Sequence, residues 1–201
     1  MPRFFAIIPA AGNSIRMGVP KLLLPVSGGT MIERTLAAWK GSKVDRIVVV
    51  VRPDDHKLEI LCRSHNADVV VPPVAPPEMK DSVQHSLRYI EANFAPTADD
   101  AWLLAPADMP NLSSRVIQAI MAAHIPNRPT VLVPTLGGQR GHPVLFPWTL
   151  ATEVFSLSAS EGLNVLRQRH EHKEIPCDAI EPIGAAAFSD VDTPQDYQRL
   201  Q

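Results

Sequence analysis

Phe4-Phe5-Ala6-Ile7-Ile8-Pro9-Ala10-Ala11-Gly12-Asn13-Ser14-Ile15-Arg16-Met17-Gly18-Val19-Pro20-Lys21 passes without a break from an apolar run into a turn of small residues, two glycines and two cations. The run is continuous rather than alternating, the pattern of a strand covered on both faces. Runs of the same kind, mostly rich in β-branched residues, recur at 47–51, 69–71, 102–105, 131–133 and 144–146. Between most of them apolar residues fall at helical spacing, from Thr30 onward and over about 55–65, 82–93, 113–124, 149–155 and 162–169. Thr30 and Glu33 have the spacing of a capping box ahead of Ile32, Leu36, Ala37 and Trp39. Strands alternating with helices predict an α/β layered fold on a largely parallel sheet. The segment 131–146 is the exception: Gly137-Gly138-Gln139-Arg140-Gly141 separates two apolar runs and predicts a hairpin or short excursion with an antiparallel strand, hence a mixed sheet.

With 201 residues, 45% of them hydrophobic, the chain can bury one substantial core, and the size prior predicts a single domain over 1–201. A formal charge of −2 with no dense Lys/Arg run argues against a nucleic-acid surface, where phosphate neutralisation demands clustered cations. The expected partners are small molecules. Pro9 stops the first apolar run far short of a secretory or membrane-spanning segment, so no membrane partner is expected and the reading is a cytoplasmic protein. Cys62 and Cys177 match neither a disulfide framework nor a metal pattern and read as reduced core residues. The twenty prolines punctuate the ends of apolar runs instead of forming a linker, and no repeat or low-complexity tract is visible.

In open α/β sheets ligands sit beyond the carboxyl ends of the strands, so the turn after Ile8 is the first place to look. Its small residues let backbone N–H groups approach an anion, and Arg16 and Lys21 supply the cations a triphosphate requires. The bland alternative is a glycine-rich connection with two solvated cations. The turn is neither a P-loop, lacking a closing Gly-Lys-Ser/Thr, nor a dinucleotide fingerprint, lacking GxGxxG. The pattern Ala-Ala-Gly-x-Ser-x-Arg-Met-Gly-x-x-Lys, followed by Leu22-Leu23-Leu24-Pro25, resembles the signature of the molybdenum cofactor nucleotidyltransferases, most closely their cytidylyltransferase branch. The resemblance implies a Rossmann-like nucleotide-diphospho-sugar transferase fold, a three-layer α/β/α arrangement on a mostly parallel mixed sheet. It further implies that Ala10, Ala11, Gly12, Ser14, Arg16, Gly18 and Lys21 bind the nucleotide. The related guanylyltransferases usually carry Ala-Gly-Gly where Ala10-Ala11-Gly12 stands, so CTP is implied over GTP.

Residues 102–105 end in Pro106-Ala107-Asp108-Met109-Pro110, which places Asp108 at a strand's carboxyl end, where a carboxylate can hold Mg²⁺ or serve as an ordinary turn residue. The segment is similar to the family's metal-binding aspartate motif. Near the other end, Asp190-Val191-Asp192-Thr193-Pro194-Gln195-Asp196 puts two carboxylates at period two, on one face of an expected strand, ahead of a capping box made by Thr193 and Asp196 with Pro194 in the first turn. This resembles the family's Asp-x-Asp-Thr-Pro-x-Asp closing motif. Asp192 is favoured as the second metal ligand, with Asp190 as the alternative.

Met79-Lys80-Asp81-Ser82 resembles a Gly-Met-x-x-Ser segment in which the serine faces the nucleotide, although Ser82 also suits an N-cap. Glu78 stands where the family usually has glycine; an acid beside a triphosphate must tilt outward or weaken its binding. Gly141-His142-Pro143 resembles the Gly-x-Pro segment bordering the acceptor pocket, making His142 a contact to the acceptor's phosphate or ring, or else a plain hairpin histidine. Ser160-Glu161 departs from the family's Gly-Asp-x-Gly stretch while Gly162 keeps its last glycine. The other histidines show no zinc-ligand spacing.

The implied reaction is in-line attack by an acceptor phosphate on the α-phosphorus of CTP, with Arg16, Lys21 and Asp108 as the catalytic set, Asp108 and Asp192 on Mg²⁺, and molybdopterin as acceptor. A molybdoenzyme or its chaperone is the implied protein partner. Alternatives are transfer to a sugar 1-phosphate or other small phosphorylated alcohol, a nucleotide-binding regulatory module with weak turnover, and an NAD(P)-dependent oxidoreductase, which the missing GxGxxG discourages.

Overall fold

The computed structural model describes residues 1–180 and 185–200. In chain order the strands are β1 (Phe4–Pro9), β2 (Pro25–Val26), β3 (Gly29–Thr30), β4 (Arg46–Val50), β5 (Asp68–Val70), β6 (Ala101–Leu104), β7 (Val131–Leu136), β8 (Gln139–Arg140), β9 (Val144–Pro147) and β10 (His172–Pro176). The α-helices are α1 (Met31–Ser42), α2 (His56–Ser64), α3 (Met79–Phe94), α4 (Ser114–Ala122), α5 (Ala151–Val154), α6 (Asn164–Arg169) and α7 (Pro194–Gln198). The main sheet has the order β10-β7-β9-β6-β1-β4-β5, with β8 folded back on β7. β1 runs parallel to β4 and β6, whereas β9 is antiparallel to both β6 and β7. The antiparallel excursion expected within 131–146 is therefore β7, its β8 hairpin across Gly137-Gly138, and β9.

Alternate residues of β1 feed two separate cores, which is why its sequence shows no alternation. Ala6 and Ile8 pack with Ile32, Leu36 and Trp39 of α1, Leu58 of α2 and Ile117 of α4. Phe5 and Ile7 pack with Val83, Leu87 and Ile90 of α3, Val154 of α5 and Leu166 of α6. The outcome is three layers, helix on sheet on helix. Across β6 and β9, Trp102 stacks on Phe146 with ring centroids 4.2 Å apart. α1 starts where its capping box predicted: Thr30 N–H and Oγ1 both donate to Glu33 Oε2 at 2.7 Å.

Two local expectations are corrected. Asp190 and Asp192 lie in no strand; the segment is irregular, and Val191 N–H donates to Asp108 O at 3.0 Å across from it. Ser82 is not an N-cap either, because α3 begins three residues before it, at Met79. No helix among the described residues is long and apolar enough to cross a membrane.

β1 and β6 are neighbours whose continuations diverge: β1 leads on to β4 and β5 on one side, while β6 opens the opposite half of the sheet. That divergence makes a crevice beyond their carboxyl ends, and both the 10–21 turn and Asp108 emerge into it.

Candidate active site

The turn after β1 is tied down at its base and free at its crest. Ala10 and Ala11 are buried, and Ala10 N–H donates to Val50 O at 2.9 Å. A methyl group added at Gly12 would meet nothing within 4 Å, so its backbone borders open space. A short 3-10 turn, Ile15–Met17, is framed by left-handed Ser14 (φ 50°) and Gly18 (φ 67°), conformations that reverse the chain and are costly for a residue with a Cβ. The reversal brings Lys21 back beneath the turn, where its N–H donates to Ser14 Oγ at 3.4 Å. Arg52 hydrogen-bonds Asn13 Oδ1 from outside.

Lys21 reaches the loop after β6 and the segment before α7 together. Its Nζ donates to Asp108 Oδ2 at 2.5 Å, Asp192 Oδ1 at 2.9 Å and Val191 O at 3.0 Å. Arg16 Nη1 pairs with Asp192 Oδ2 at 2.8 Å from a mostly exposed side chain. Burial pulls the Lys21 ammonium down, but hydrogen bonds and charge from Asp108 and Asp192 outweigh it and hold its pKa above 10.5. The hydrogen bond from Lys21 leads in holding Asp192 below the usual carboxylate value. Asp108 Oδ1 is buried with no hydrogen-bond partner, and an oxygen stranded in that way is unfavourable unless something accepts its charge.

A cavity of about 390 Å³ collects these groups, lined by Ala10, Ala11, Gly12, Ser14, Arg16, Lys21, Ser82, Asp108 and Asp192. Nine of the residues singled out from sequence thus border one space. Gly18 does not: it lines a smaller hollow behind the turn, and its contribution is the chain reversal. Asp190 and His142 line a second cavity of about 590 Å³, which meets the first at Glu78 and Met79. The two aspartates are therefore set apart. Asp192 shares Lys21 with Asp108, while Asp190 belongs next door.

His142 Nδ1 lies 3.1 Å from Leu104 O, and since a carbonyl only accepts, that nitrogen carries the proton and Nε2 is left as an acceptor. Burial pushes its pKa below 6.5 against the opposing pull of Leu104 O, Asp190 and Asp108. Gly141 beside it has no room for a side chain, because a Cβ would overlap the Phe188 ring.

Glu78 is placed by what the sequence reading overlooked. It caps α3 reciprocally with Asp81, and its Oε2 lies 3.3 Å from Lys80 Nζ. Lys80 is buried and donates to the carbonyls of Ser158 (2.8 Å), Ala159 (2.7 Å) and Glu161 (3.0 Å), fastening the 158–161 loop to α3. The signal was available: Lys80 falls in register with Val83, Leu87 and Ile90 on the apolar stripe of α3. Arg167, also overlooked, lines the second cavity.

Among the described residues no group of three His, Cys, Asp or Glu side chains could hold a metal ion by itself. The pair Asp108 and Asp192 nevertheless suits Mg²⁺, which is commonly held by one or two carboxylates and completed by substrate phosphates. The unpartnered Asp108 Oδ1 is the donor such an ion would use.

A family model described as MobA-like NTP transferase domain matches residues 6–174. A 2-C-methyl-D-erythritol 4-phosphate cytidylyltransferase of Dechloromonas aromatica is 35% identical over 138 residues, 61% of this chain and 54% of that enzyme. The chain thus matches about half the length of that relative. Purine catabolism protein PucB of Bacillus subtilis is 26% identical over 208 residues, covering 100% of this chain and 97% of PucB. Among solved structures, Rv0371c of Mycobacterium tuberculosis superposes with a TM-score of 0.80 at 27% identity, over 100% of this chain and 98% of that one. Its complex with manganese superposes at 0.73 and 26% identity over 98% and 97% of the two chains.

Proposed function

From the premise that this chain belongs to the MobA-like NTP transferase domain family, we propose that it moves a cytidylyl group from CTP to the phosphate of a molybdopterin-type acceptor with Mg²⁺ and releases pyrophosphate. The observation that carries the reading is the meeting of the 10–16 turn with Lys21, Asp108 and Asp192 at one cavity. That cavity offers backbone N–H groups and cations for a triphosphate on one side and two carboxylates on the other. The manganese complex of Rv0371c supports a divalent ion in this fold.

The acceptor phosphate enters from the second cavity, at the Glu78–Met79 junction. One of its oxygens attacks the α-phosphorus, the new P–O bond forms opposite the bond to the β-phosphate, and that bond's electrons leave with pyrophosphate. The attacking oxygen is already anionic, so no general base is required. Lys21 and Arg16 hold the triphosphate's charge, and the turn around Gly12 holds its oxygens in line. Asp108 and Asp192 would hold Mg²⁺, which when bound neutralises charge on the phosphate oxygens and the leaving group. Binding CTP draws Lys21 and Arg16 partly away from the carboxylates that now occupy them.

CTP over GTP rests on Ala10-Ala11-Gly12, and the second cavity, walled by Leu104, Phe146 and Leu163 with His142 at its side, suits a ring-bearing acceptor. A small phosphorylated alcohol is the second reading, favoured by the relative named for 2-C-methyl-D-erythritol 4-phosphate. Pyrophosphate release separates them when CTP and GTP are each offered with molybdopterin, 2-C-methyl-D-erythritol 4-phosphate and a sugar 1-phosphate. Turnover with CTP and molybdopterin alone supports the first reading, and turnover only with an alcohol phosphate overturns it.

A further inference from the structure

The second cavity contains three cations, and two of them are already matched. Lys80 is engaged by three backbone carbonyls and Glu78, and Arg140 Nε pairs with Glu174 Oε1 at 2.7 Å. Arg167, half-buried on α6, has neither an ion pair nor a hydrogen bond among the described residues. Its helix does not lack acids nearby. Glu153 and Glu161 both pair with Arg169, two residues further on, and Glu78 pairs with Lys80, so these carboxylates are committed elsewhere; Asp190 borders the same cavity but makes no ion pair with Arg167.

A guanidinium partly removed from water without a partner is unfavourable, and a ligand that supplies the missing anion recovers that penalty. The surroundings narrow the ligand further. Leu104, Val133, Val144 and Phe146 give the same cavity an apolar wall, which suits the face of a planar ring, while the flat fork of an arginine recognises acceptors lying in a plane. His142 turns Nδ1 to Leu104 O, and burial disfavours its charged form, so it is the poorer of the two as an anion's partner.

We propose that Arg167 selects the acceptor by binding an anionic substituent on its planar ring system, apart from the phosphate that reacts. The assignment rests on the reading that the second cavity takes the acceptor. It makes Arg167 a specificity residue and requires the acceptor to carry two anionic groups, one that reacts and one that is held.

The test compares wild type with Arg167→Gln and Arg167→Lys, after confirming that all three melt alike and share the same KM for CTP. Calorimetric titration with pterin-6-carboxylate and with neutral 6-methylpterin reads the charge preference directly. Wild type is expected to favour the carboxylate by roughly 10- to 100-fold, the range for a hydrogen bond to a charged group. Arg167→Gln should erase that preference and Arg167→Lys should keep part of it. Equal affinity for the two pterins in wild type, or the same preference in wild type and Arg167→Gln, overturns the assignment. Pyrophosphate release with molybdopterin is read separately. If wild type shows the carboxylate preference but does not turn molybdopterin over, the molybdopterin reading fails and the Arg167 assignment stands; if molybdopterin turns over with an unchanged KM in Arg167→Gln, the Arg167 assignment fails alone.

Discussion

Replacing Lys21 with methionine keeps the length of the side chain and removes the one charge that three oxygens share. Asp108 Oδ2 and Asp192 Oδ1 lose their cation, Val191 O loses a donor, and Asp108, whose Oδ1 has no partner already, becomes a largely buried carboxylate with no hydrogen bond from a side chain. Removing one member of a buried ion pair typically costs 3–5 kcal/mol, and because Lys21 and Asp108 keep 14% of their side-chain surface exposed and Asp192 keeps 29%, the lower end, about 3 kcal/mol, applies. For a chain of this size that lowers the melting temperature by roughly 6–12 °C. The loss should depend on pH in a defined way. Asp192 titrates below 3.8 in the folded protein, so the stability it draws from Lys21 is present above about pH 4 and disappears as pH falls through the lowered value. Lys21 titrates above 10.5, so its share is present below that pH and is lost as pH rises through the raised value. The gap between wild type and Lys21→Met should therefore be flat across neutral pH and close at both extremes. Scanning calorimetry at pH 3, 7 and 11 measures it, and kcat for pyrophosphate release should fall about 10²- to 10³-fold in the same variant. Millimolar Mg²⁺ should restore part of the lost stability, since two carboxylates released from Lys21 form a better cation site, without restoring turnover. A variant that melts like wild type at pH 7, or a gap as large at pH 3 as at pH 7, refutes the reasoning.

Asp108→Asn preserves the shape of the site and removes a metal ligand, so kcat at limiting Mg²⁺ should fall at least about 100-fold with a melting temperature nearer to wild type than that of Lys21→Met. Full turnover at limiting Mg²⁺ would remove Asp108 from the catalytic set. Gly141→Ala forces a methyl group into the Phe188 ring and should destabilise by about 1–3 kcal/mol, read as a shift of the urea midpoint. Lys80→Met strands three carbonyls, and hydrogen exchange should show faster opening confined to about residues 157–163 while β1 and β6 stay protected.

The elements with a strong period were legible in the sequence. β1, β4 and β6 announced themselves because both faces are buried and their apolar runs are continuous, and α1 and α7 because their capping boxes are local chemistry that no tertiary contact has to supply. β10 was not legible. His172-Lys173-Glu174 is an exposed edge strand whose pairing with β7 is made by backbone groups, so its side chains carry no apolar signal. The strand expected at 190–192 failed for the opposite reason: two carboxylates at period two resemble a strand face, but they face different cavities and the backbone between them is held by Asp108 O and Lys21 Nζ instead of by a neighbouring strand. The members of the first cavity were readable because they cluster in short motifs. Arg167 was not, and Lys80 showed only as a cation on the apolar stripe of α3, because the presence of partners for one and the lack of them for the other are fixed only when distant segments meet.

Anomalous diffraction from crystals grown with MnCl₂ and a non-hydrolysable CTP analogue would locate the ion and the triphosphate together. The account predicts a manganese peak bridging Asp108, Asp192 and the phosphate oxygens, with the triphosphate lying along residues 10–16 and Lys21 against it. A peak elsewhere, or a triphosphate that avoids the 10–16 turn, would contradict it.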